Sequence, residues 1–199
     1  MVNVLTREKL LGAAELMFLA HGYSGASLEQ VRQAAGVSNG SLYHHFPTKA
    51  RLADALYVDI LIDFYADLLG AISGKPDAEV GVKRLVRAYI AWVVKKPHRA
   101  TLLHRLKRDG EVTDASEGVG GTNAKAFAVL GEWCTAQIAQ GHMRDVPFHI
   151  WMALVFAPSF SLTGRWVQGT GADVSAKTRA TLEHAAWMAV APPPAQRKP

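Results

Sequence analysis

The chain contains 199 residues, 49% of them hydrophobic and 20% charged, a composition that is ordinary for a globular protein. Its net charge of +5 and its sequence pI near 9.4 permit a polyanionic partner without establishing one. The single cysteine, Cys134, excludes an internal disulfide framework and favours a reducing compartment, so we expect a cytoplasmic protein. The N-terminal residues lack a signal-peptide pattern. The two most apolar runs, residues 85–94 and 150–162, are shorter than the ~18 residues that a membrane span needs, so we expect no membrane association.

The first predicted helix begins near Thr6, whose hydroxyl can cap it, and ends at Gly22. Five apolar residues recur at helical spacing on one of its faces, namely Leu10, Ala13, Ala14, Met17 and Phe18. Because the next two helices are too short to bury much surface alone, this face predicts a lid over them.

Two short helices follow, separated by a tight turn. Ser27 and Gln30 have the spacing of a capping box for a helix over residues 28–35, and a glycine follows where a left-handed residue is favoured. Ser38 can cap the second helix, over residues 39–45, in which a leucine and a phenylalanine four residues apart mark one apolar face. This arrangement is a helix-turn-helix, a motif whose second helix enters the major groove of DNA.

The other face of the second short helix carries small or hydrogen-bonding groups. Asn39 can pair with a base edge, by preference adenine, and Ser41 can read either class of base. A glycine such as Gly40 makes a helix less stable than alanine would, by about 1 kcal/mol. Its missing Cβ indicates a position that another surface approaches closely. Tyr43 suits a phosphate oxygen, while His45 could also face inward. The full predicted DNA-contacting set is Ser27, Ser38, Asn39, Gly40, Ser41, Tyr43, His44, His45 and Lys49.

Residues 27–49 resemble the DNA-binding domain of the TetR family of bacterial one-component repressors. The shared pattern is Gly-Val-Ser-x-Gly-x-Leu-Tyr-x-His-Phe-x-x-Lys, and the chain fills every named position from Gly36 to Lys49. In this resemblance Tyr43 and Lys49 match phosphate-contacting positions of the family. It implies a repressor, not an enzyme. Such a repressor is a homodimer whose two copies contact each other through the last two helices. The dimer binds a palindromic double-stranded DNA operator, and a small-molecule effector releases it from the DNA.

The remainder of the chain predicts only helices. Six more are expected, over residues 49–72, 77–96, 98–108, 123–141, 148–168 and 174–190. Residues 109–121 are rich in glycine and acidic residues and predict a mobile loop. We therefore expect an all-α fold of about nine helices. Its parts would be a three-helix DNA-binding domain over residues 4–64, a six-helix effector-binding and dimerisation bundle over residues 65–191, and a disordered tail over residues 192–199.

The helix over residues 148–168 is apolar on every side, and Pro158 should bend it. A helix of this kind is buried on every side, so a second copy of the chain should cover part of it.

The resemblance also implies an effector cavity in the C-terminal bundle. The aromatic content favours a small hydrophobic or aromatic effector, although an aromatic stripe at helical spacing is more often plain core. The candidate lining residues are Tyr65, Tyr89, Trp92, His104, Phe127, Trp133, Met152 and Phe156.

Other chemistry has less support from the residues. Cys134 with a histidine could form a nucleophilic pair, but a single cysteine on an apolar helix face is usually buried packing. A helical module that binds another protein would have no need of the intact helix-turn-helix pattern. A metal site can be imagined from several residues that lack close i, i+4 pairing on one helix, namely His98, His104, His142, His149 and Asp145. We therefore expect neither a metal nor a cofactor.

Overall fold

The computed structural model describes residues 2–113, 116–167 and 174–193. Within these ranges the chain forms nine helices and no strand, which confirms the predicted all-α fold. The helices are α1 (Val2–Gly25), α2 (Leu28–Ala35), α3 (Asn39–His45), α4 (Lys49–Gly70), α5 (Ala78–Lys95), α6 (Pro97–Arg108), α7 (Glu117–Ala139), α8 (Phe148–Val167) and α9 (Ala176–Val190). Residues 169–173, which separate the last two predicted helices, and residues 194–199, most of the predicted tail, lie outside the described ranges.

One compact unit comprises the chain up to Asp63 together with Lys96–Asn123. In it, α1 packs against α2, α3 and α6. The buried apolar residues of α1 include Leu10 and Phe18, and those of the helix-turn-helix include Val31 and Leu42. The apolar face of α1 therefore covers the two short helices, as its sequence periodicity predicts.

The limits of α1 differ from the prediction at one end only. The helix begins at Val2, so Thr6 lies inside it and is not its cap. At the other end the helical backbone breaks at Gly22, whose φ of 69° falls in the left-handed region that favours glycine. A short turn then leads to Gly25, and the predicted stop of the first helix is confirmed.

An ion-pair network holds α6 in this first unit. Arg99 of α6 lies 3.3 Å from Glu15 of α1, 3.1 Å from Asp59 of α4 and 3.7 Å from Asp63. Lys96, just before α6, donates to the same Asp63 at 2.7 Å. All of these side chains are partly buried, which reduces solvent screening and makes the network more effective than an isolated surface pair.

The second compact unit comprises Phe64–Lys95 and the chain from Ala124 onward. In it, α5, α8 and α9 pack against one another. Arg87 of α5 donates to both carboxylate oxygens of Glu183 on α9, at 2.9 and 2.6 Å, and the Glu183 side chain is nearly buried. This two-point contact fixes the position of α9 along α5.

The start of α7 differs from the prediction of a loop over residues 109–121, because the helix already begins at Glu117. Val119 is buried, and it anchors the first turn. A Cβ placed on Gly118 would lie 3.2 Å from a methyl group of Val58 on α4, so the missing side chain permits close packing. Tertiary packing therefore overrides the poor helix propensity of the glycines here.

The compact units do not follow the predicted limits of residues 4–64 and 65–191 along the whole chain. The division inside α4 falls between Asp63 and Phe64, close to the predicted boundary, but residues 96–123 belong with the N-terminal helices. The assignment of functions to the two ranges stays a prediction. None of the described helices combines the length and the hydropathy that crossing a bilayer requires.

Candidate nucleic-acid interface

Local capping sets the ends of α2. The Ser27 hydroxyl accepts the backbone N–H of Gln30 at 3.1 Å, and the Gln30 side chain accepts the backbone N–H of Ser27 at 2.8 Å. This is the predicted capping box. At the other end Gly36 takes a left-handed conformation with φ 64°, and its N–H donates to the carbonyls of Arg32 and Gln33. The exposed Ser27 side chain thus has a structural role at the start of the helix.

Arg32 fixes the turn between α2 and α3, a role that the sequence prediction missed. Its guanidinium donates to the carbonyl of Val37 at 2.9 Å and to both carboxylate oxygens of Glu29 at 2.6 and 2.8 Å. Hydrogen bonds from Arg32 and then from Gln33 lower the pKa of Glu29 to about 2, so this carboxylate stays ionised at neutral pH. The sequence did contain a sign of this role, because Glu29 and Arg32 are three residues apart, a spacing at which oppositely charged side chains on one helix can pair.

Helix α3 is capped and anchored as predicted. The Ser38 hydroxyl accepts the N–H of Ser41 at 3.2 Å and donates to the Ser41 hydroxyl at 3.0 Å. Leu42 and Phe46 are 1% and 3% exposed, so the apolar side of this seven-residue helix is held in the core of the first unit. Because one side is fixed, the residues on the opposite side are presented in a defined orientation.

That opposite side is open to solvent. Asn39, Gly40 and His44 are exposed, and Tyr43 is 53% exposed, whereas Ser41 and His45 are half-buried. His45 lies against the rings of both His44 and Phe46, at 5.3 and 6.2 Å between centroids. A Cβ on Gly40 would meet no atom of the described residues within 4 Å. Gly40 therefore leaves the surface of α3 flat, and packing inside the chain does not require a glycine there.

Lys49, a predicted phosphate contact, has hydrogen-bond partners within the chain. Its ammonium donates to the carbonyls of Tyr23 and Ala26, at 3.0 Å each, and to that of Ser24 at 3.4 Å. It also lies 4.4 Å from the centroid of the Tyr23 ring. The carbonyls at the end of α1 have few partners within the helix, and this lysine supplies one. The structure therefore assigns Lys49 to holding α1 against the start of α4.

We expect Lys49→Met to lower the free energy of unfolding by about 1–2 kcal/mol, because charge-assisted hydrogen bonds contribute ~1.5–3 kcal/mol and this side chain is only partly buried. Urea denaturation followed by circular dichroism measures the change. Lys9→Met, an exposed position on α1, is the matched control and should change stability by less than about 0.5 kcal/mol. Equal effects of the two substitutions would contradict the role assigned to Lys49.

The eight predicted effector-binding residues are divided between the two compact units. Seven of them belong to the second unit, while His104 belongs to α6 of the first unit, where burial and then Arg108 lower its pKa. Tyr89, Trp92 and Phe156 are almost completely buried and contact neighbouring rings, as core residues do. Burial raises the pKa of Tyr89 to about 12, with a hydrogen bond to Thr163 opposing the shift.

A cleft of about 240 Å³ does exist in the second unit, but it is lined by none of the eight predicted residues. Its lining includes Cys134, whose burial raises its pKa to about 12. A thiol with a raised pKa is mostly protonated near neutral pH, which makes Cys134 a weaker nucleophile than an exposed cysteine. Across residues 2–113, 116–167 and 174–193, no three side chains of His, Cys, Asp or Glu are grouped as metal ligands.

Comparison with known proteins supports the interpretation of the N-terminal helices. Residues 10–56, which span most of α1, the helix-turn-helix and the start of α4, match the family described as bacterial regulatory proteins, tetR family. The chain is 32% identical over 96 residues to the HTH-type transcriptional repressor DhaR of a Mycobacterium species. It is 48% identical over 42 residues to the HTH-type transcriptional regulator LmrA of Bacillus subtilis.

These sequence matches are partial. The match to DhaR covers 48% of this chain and 46% of DhaR. The match to LmrA covers 21% of this chain and 22% of LmrA. The chain therefore spans less than half the length of the curated relatives that it matches. The fold is similar over almost the whole length. A crystal structure of a TetR family transcription regulator from Marinobacter aquaeolei VT8 superposes with a TM-score of 0.80, covering 95% of this chain and 97% of that one at 22% identity.

Proposed function

Because residues 10–56 match the family described as bacterial regulatory proteins, tetR family, we propose that the chain is a DNA-binding transcriptional regulator that represses its target genes until an effector binds. One observation carries the proposal: α3 is anchored by buried Leu42 and Phe46 and presents the opposite face to solvent. A short helix that is fixed on one side and open on the other suits insertion into a major groove.

The residues of the open face have distinct proposed roles. Asn39 reads a base edge, adenine by preference, and Gly40 permits the groove to approach the helix backbone. Tyr43 and His44 contact phosphate oxygens and set the register of the helix on the duplex. The half-buried Ser41 and His45 contribute at the edge of the contact. Ser27 and Ser38 act mainly as caps, and each helix N-terminus adds a site suited to a phosphate.

Exposed apolar side chains on α8 and α9 support a homodimer through the last two helices. Ile150, Leu154 and Phe160 of α8 are each about two-fifths exposed, and Met188 of α9 is 55% exposed. Burial of these side chains against a second copy removes apolar surface from water. A two-fold dimer would present two copies of α3 to a palindromic operator, roughly one DNA turn or 34–36 Å apart. A small hydrophobic or aromatic effector would release the DNA because it binds more tightly to the conformation that does not bind DNA.

Fluorescence anisotropy with DNA fragments flanking the protein's own gene tests the proposal, alongside a molar-mass measurement of the free protein. We expect saturable binding that weakens steeply with salt, because released counterions dominate the affinity. Absence of binding to every fragment, combined with a monomeric mass, would contradict the proposal.

Tyr43→Ala should weaken DNA binding about tenfold to thirtyfold, because a homodimer loses the phosphate contact twice at about 1 kcal/mol each. The loss should be similar for different DNA sequences, since phosphate contacts carry no sequence information. The matched control is Ile62→Ala, another exposed large side chain, on α4, which should leave the affinity unchanged. Native affinity in a folded Tyr43→Ala variant would remove Tyr43 from the interface.

A further inference from the structure

Arg7 of α1 lies at the C-terminal end of α3. Its guanidinium carbon is 6.0 Å from the centroid of the Phe46 ring, and Phe46 is the residue that ends α3. Ring contacts continue from Phe46 to His45 and from His45 to the exposed His44, at 6.2 and 5.3 Å between centroids. Helix α1 also packs against α3. The Arg7 side chain, which is itself exposed, therefore borders the surface that α3 presents to solvent.

The guanidinium of Arg7 has donors to spare. Among the residues whose side chains the structure describes, none forms a hydrogen bond or an ion pair with it. Positions 3, 4, 10 and 11, its neighbours along the same helix face, hold asparagine, valine and two leucines, and thus no carboxylate. Glu8, next in the sequence, projects about 100° away around the helix. Because a cation–π contact uses the flat face of a guanidinium, the N–H donors at its edge stay free.

Helix α3 itself contains no lysine or arginine. The basic residues that precede and follow it in the sequence already have partners within the chain. Arg32 donates to the carboxylate of Glu29 and to the carbonyl of Val37. Lys49 donates to backbone carbonyls at the end of α1. Since contacts between cations and phosphates supply most of the sequence-independent affinity for DNA, phosphates beside α3 need a cation from elsewhere in the chain.

We propose that Arg7 binds a phosphate of the DNA backbone at the edge of the groove that α3 enters. The proposal rests on the DNA-binding function proposed above and adds a contact outside the helix-turn-helix and outside the family match, which begins at residue 10. The N-terminal residues of a recognition helix contact the bases, so its C-terminal end, where Arg7 lies, is the end closer to the flanking backbone. A planar guanidinium fits two phosphate oxygens at once. Phe46, 3% exposed, gives it a fixed support.

The salt dependence of DNA binding tests the contact. Arg7→Met removes the charge and keeps an apolar stem over Phe46. The probes are labelled DNA fragments flanking the protein's own gene, and fluorescence anisotropy gives the affinity at a series of salt concentrations. The slope of log K against log salt should become shallower by about 1.8, because a homodimer loses two phosphate contacts at ~0.9 each. The affinity lost by the variant should therefore shrink about tenfold when the salt concentration rises about fourfold.

Three comparisons separate this contact from a structural role. Arg7→Lys keeps the charge, so it should keep the wild-type slope although it loses the two-point contact. Arg84→Met is the matched control, because Arg84 is an exposed arginine of α5 in the second unit, and it should change neither slope nor affinity. A lower melting temperature of Arg7→Met with the wild-type slope would mean that Arg7 only packs on Phe46, and would overturn the proposal. Wild-type protein that binds none of the fragments would contradict the proposed function as well.

Discussion

Gly81→Ala should destabilise the second unit by about 2 kcal/mol or more. A Cβ at Gly81 of α5 would lie 2.2 Å from Cζ2 and 2.7 Å from Cη2 of the Trp133 indole, distances that real contacts do not reach. Trp133 cannot easily move, because it is buried, hydrogen-bonded to Pro76 and packed against Trp151. Overpacking of a core costs about 1–3 kcal/mol or more, which exceeds the gain of about 1 kcal/mol that alanine brings to a helix interior.

Chemical denaturation of the wild type and the variant measures the change for Gly81. The matched control is Gly131→Ala, a glycine-to-alanine change on α7 with open space around the added methyl group. It should leave stability unchanged or raise it by about 0.5–1 kcal/mol. Trp133→Phe removes the two clashing atoms, so Gly81→Ala should cost much less in that background. A variant Gly81→Ala as stable as the wild type would show that α5 and α7 can separate without loss.

Gly40→Leu should change stability and DNA affinity in opposite directions. The exposed position has no neighbouring atom within 4 Å of an added Cβ, so leucine should raise the free energy of unfolding by about 0.5–1 kcal/mol through helix propensity. Affinity for DNA should fall about a hundredfold, or ~2.7 kcal/mol summed over two half-sites. The reason is that a leucine side chain prevents the groove from approaching the backbone of α3.

Thermal denaturation and fluorescence anisotropy together test this prediction. Gly12→Leu is the control, because Gly12 is also an exposed helical glycine with open space and belongs to the same compact unit. It should stabilise its helix to a similar extent and leave DNA affinity unaltered. If Gly40→Leu binds DNA as tightly as the wild type, close approach of the groove is not the reason for a glycine at this position.

Local interactions made much of the fold predictable from the sequence. The caps formed by Ser27 and Ser38 each join a side-chain oxygen to a backbone N–H three residues further on, so their spacing is visible in the sequence. The apolar periodicity of each helix and the left-handed Gly36 are equally local. The pattern from residue 36 to residue 49 showed the resemblance to the TetR family for the same reason, since its positions are close together along the chain.

Other features depend on residues that are distant along the chain, and only the tertiary structure decides them. Lys49 has the residue type of a phosphate ligand, but the carbonyls it contacts belong to residues 23–26, where α1 happens to end. The aromatic residues predicted for a ligand include several that fill the core, whereas the cleft in the same unit is lined by other residues. Spacing along one helix shows which residues share a face. It cannot show which neighbouring helix covers that face, because the neighbour depends on how the helices pack in three dimensions. The same packing decides where side chains fill the core and where they leave a cleft.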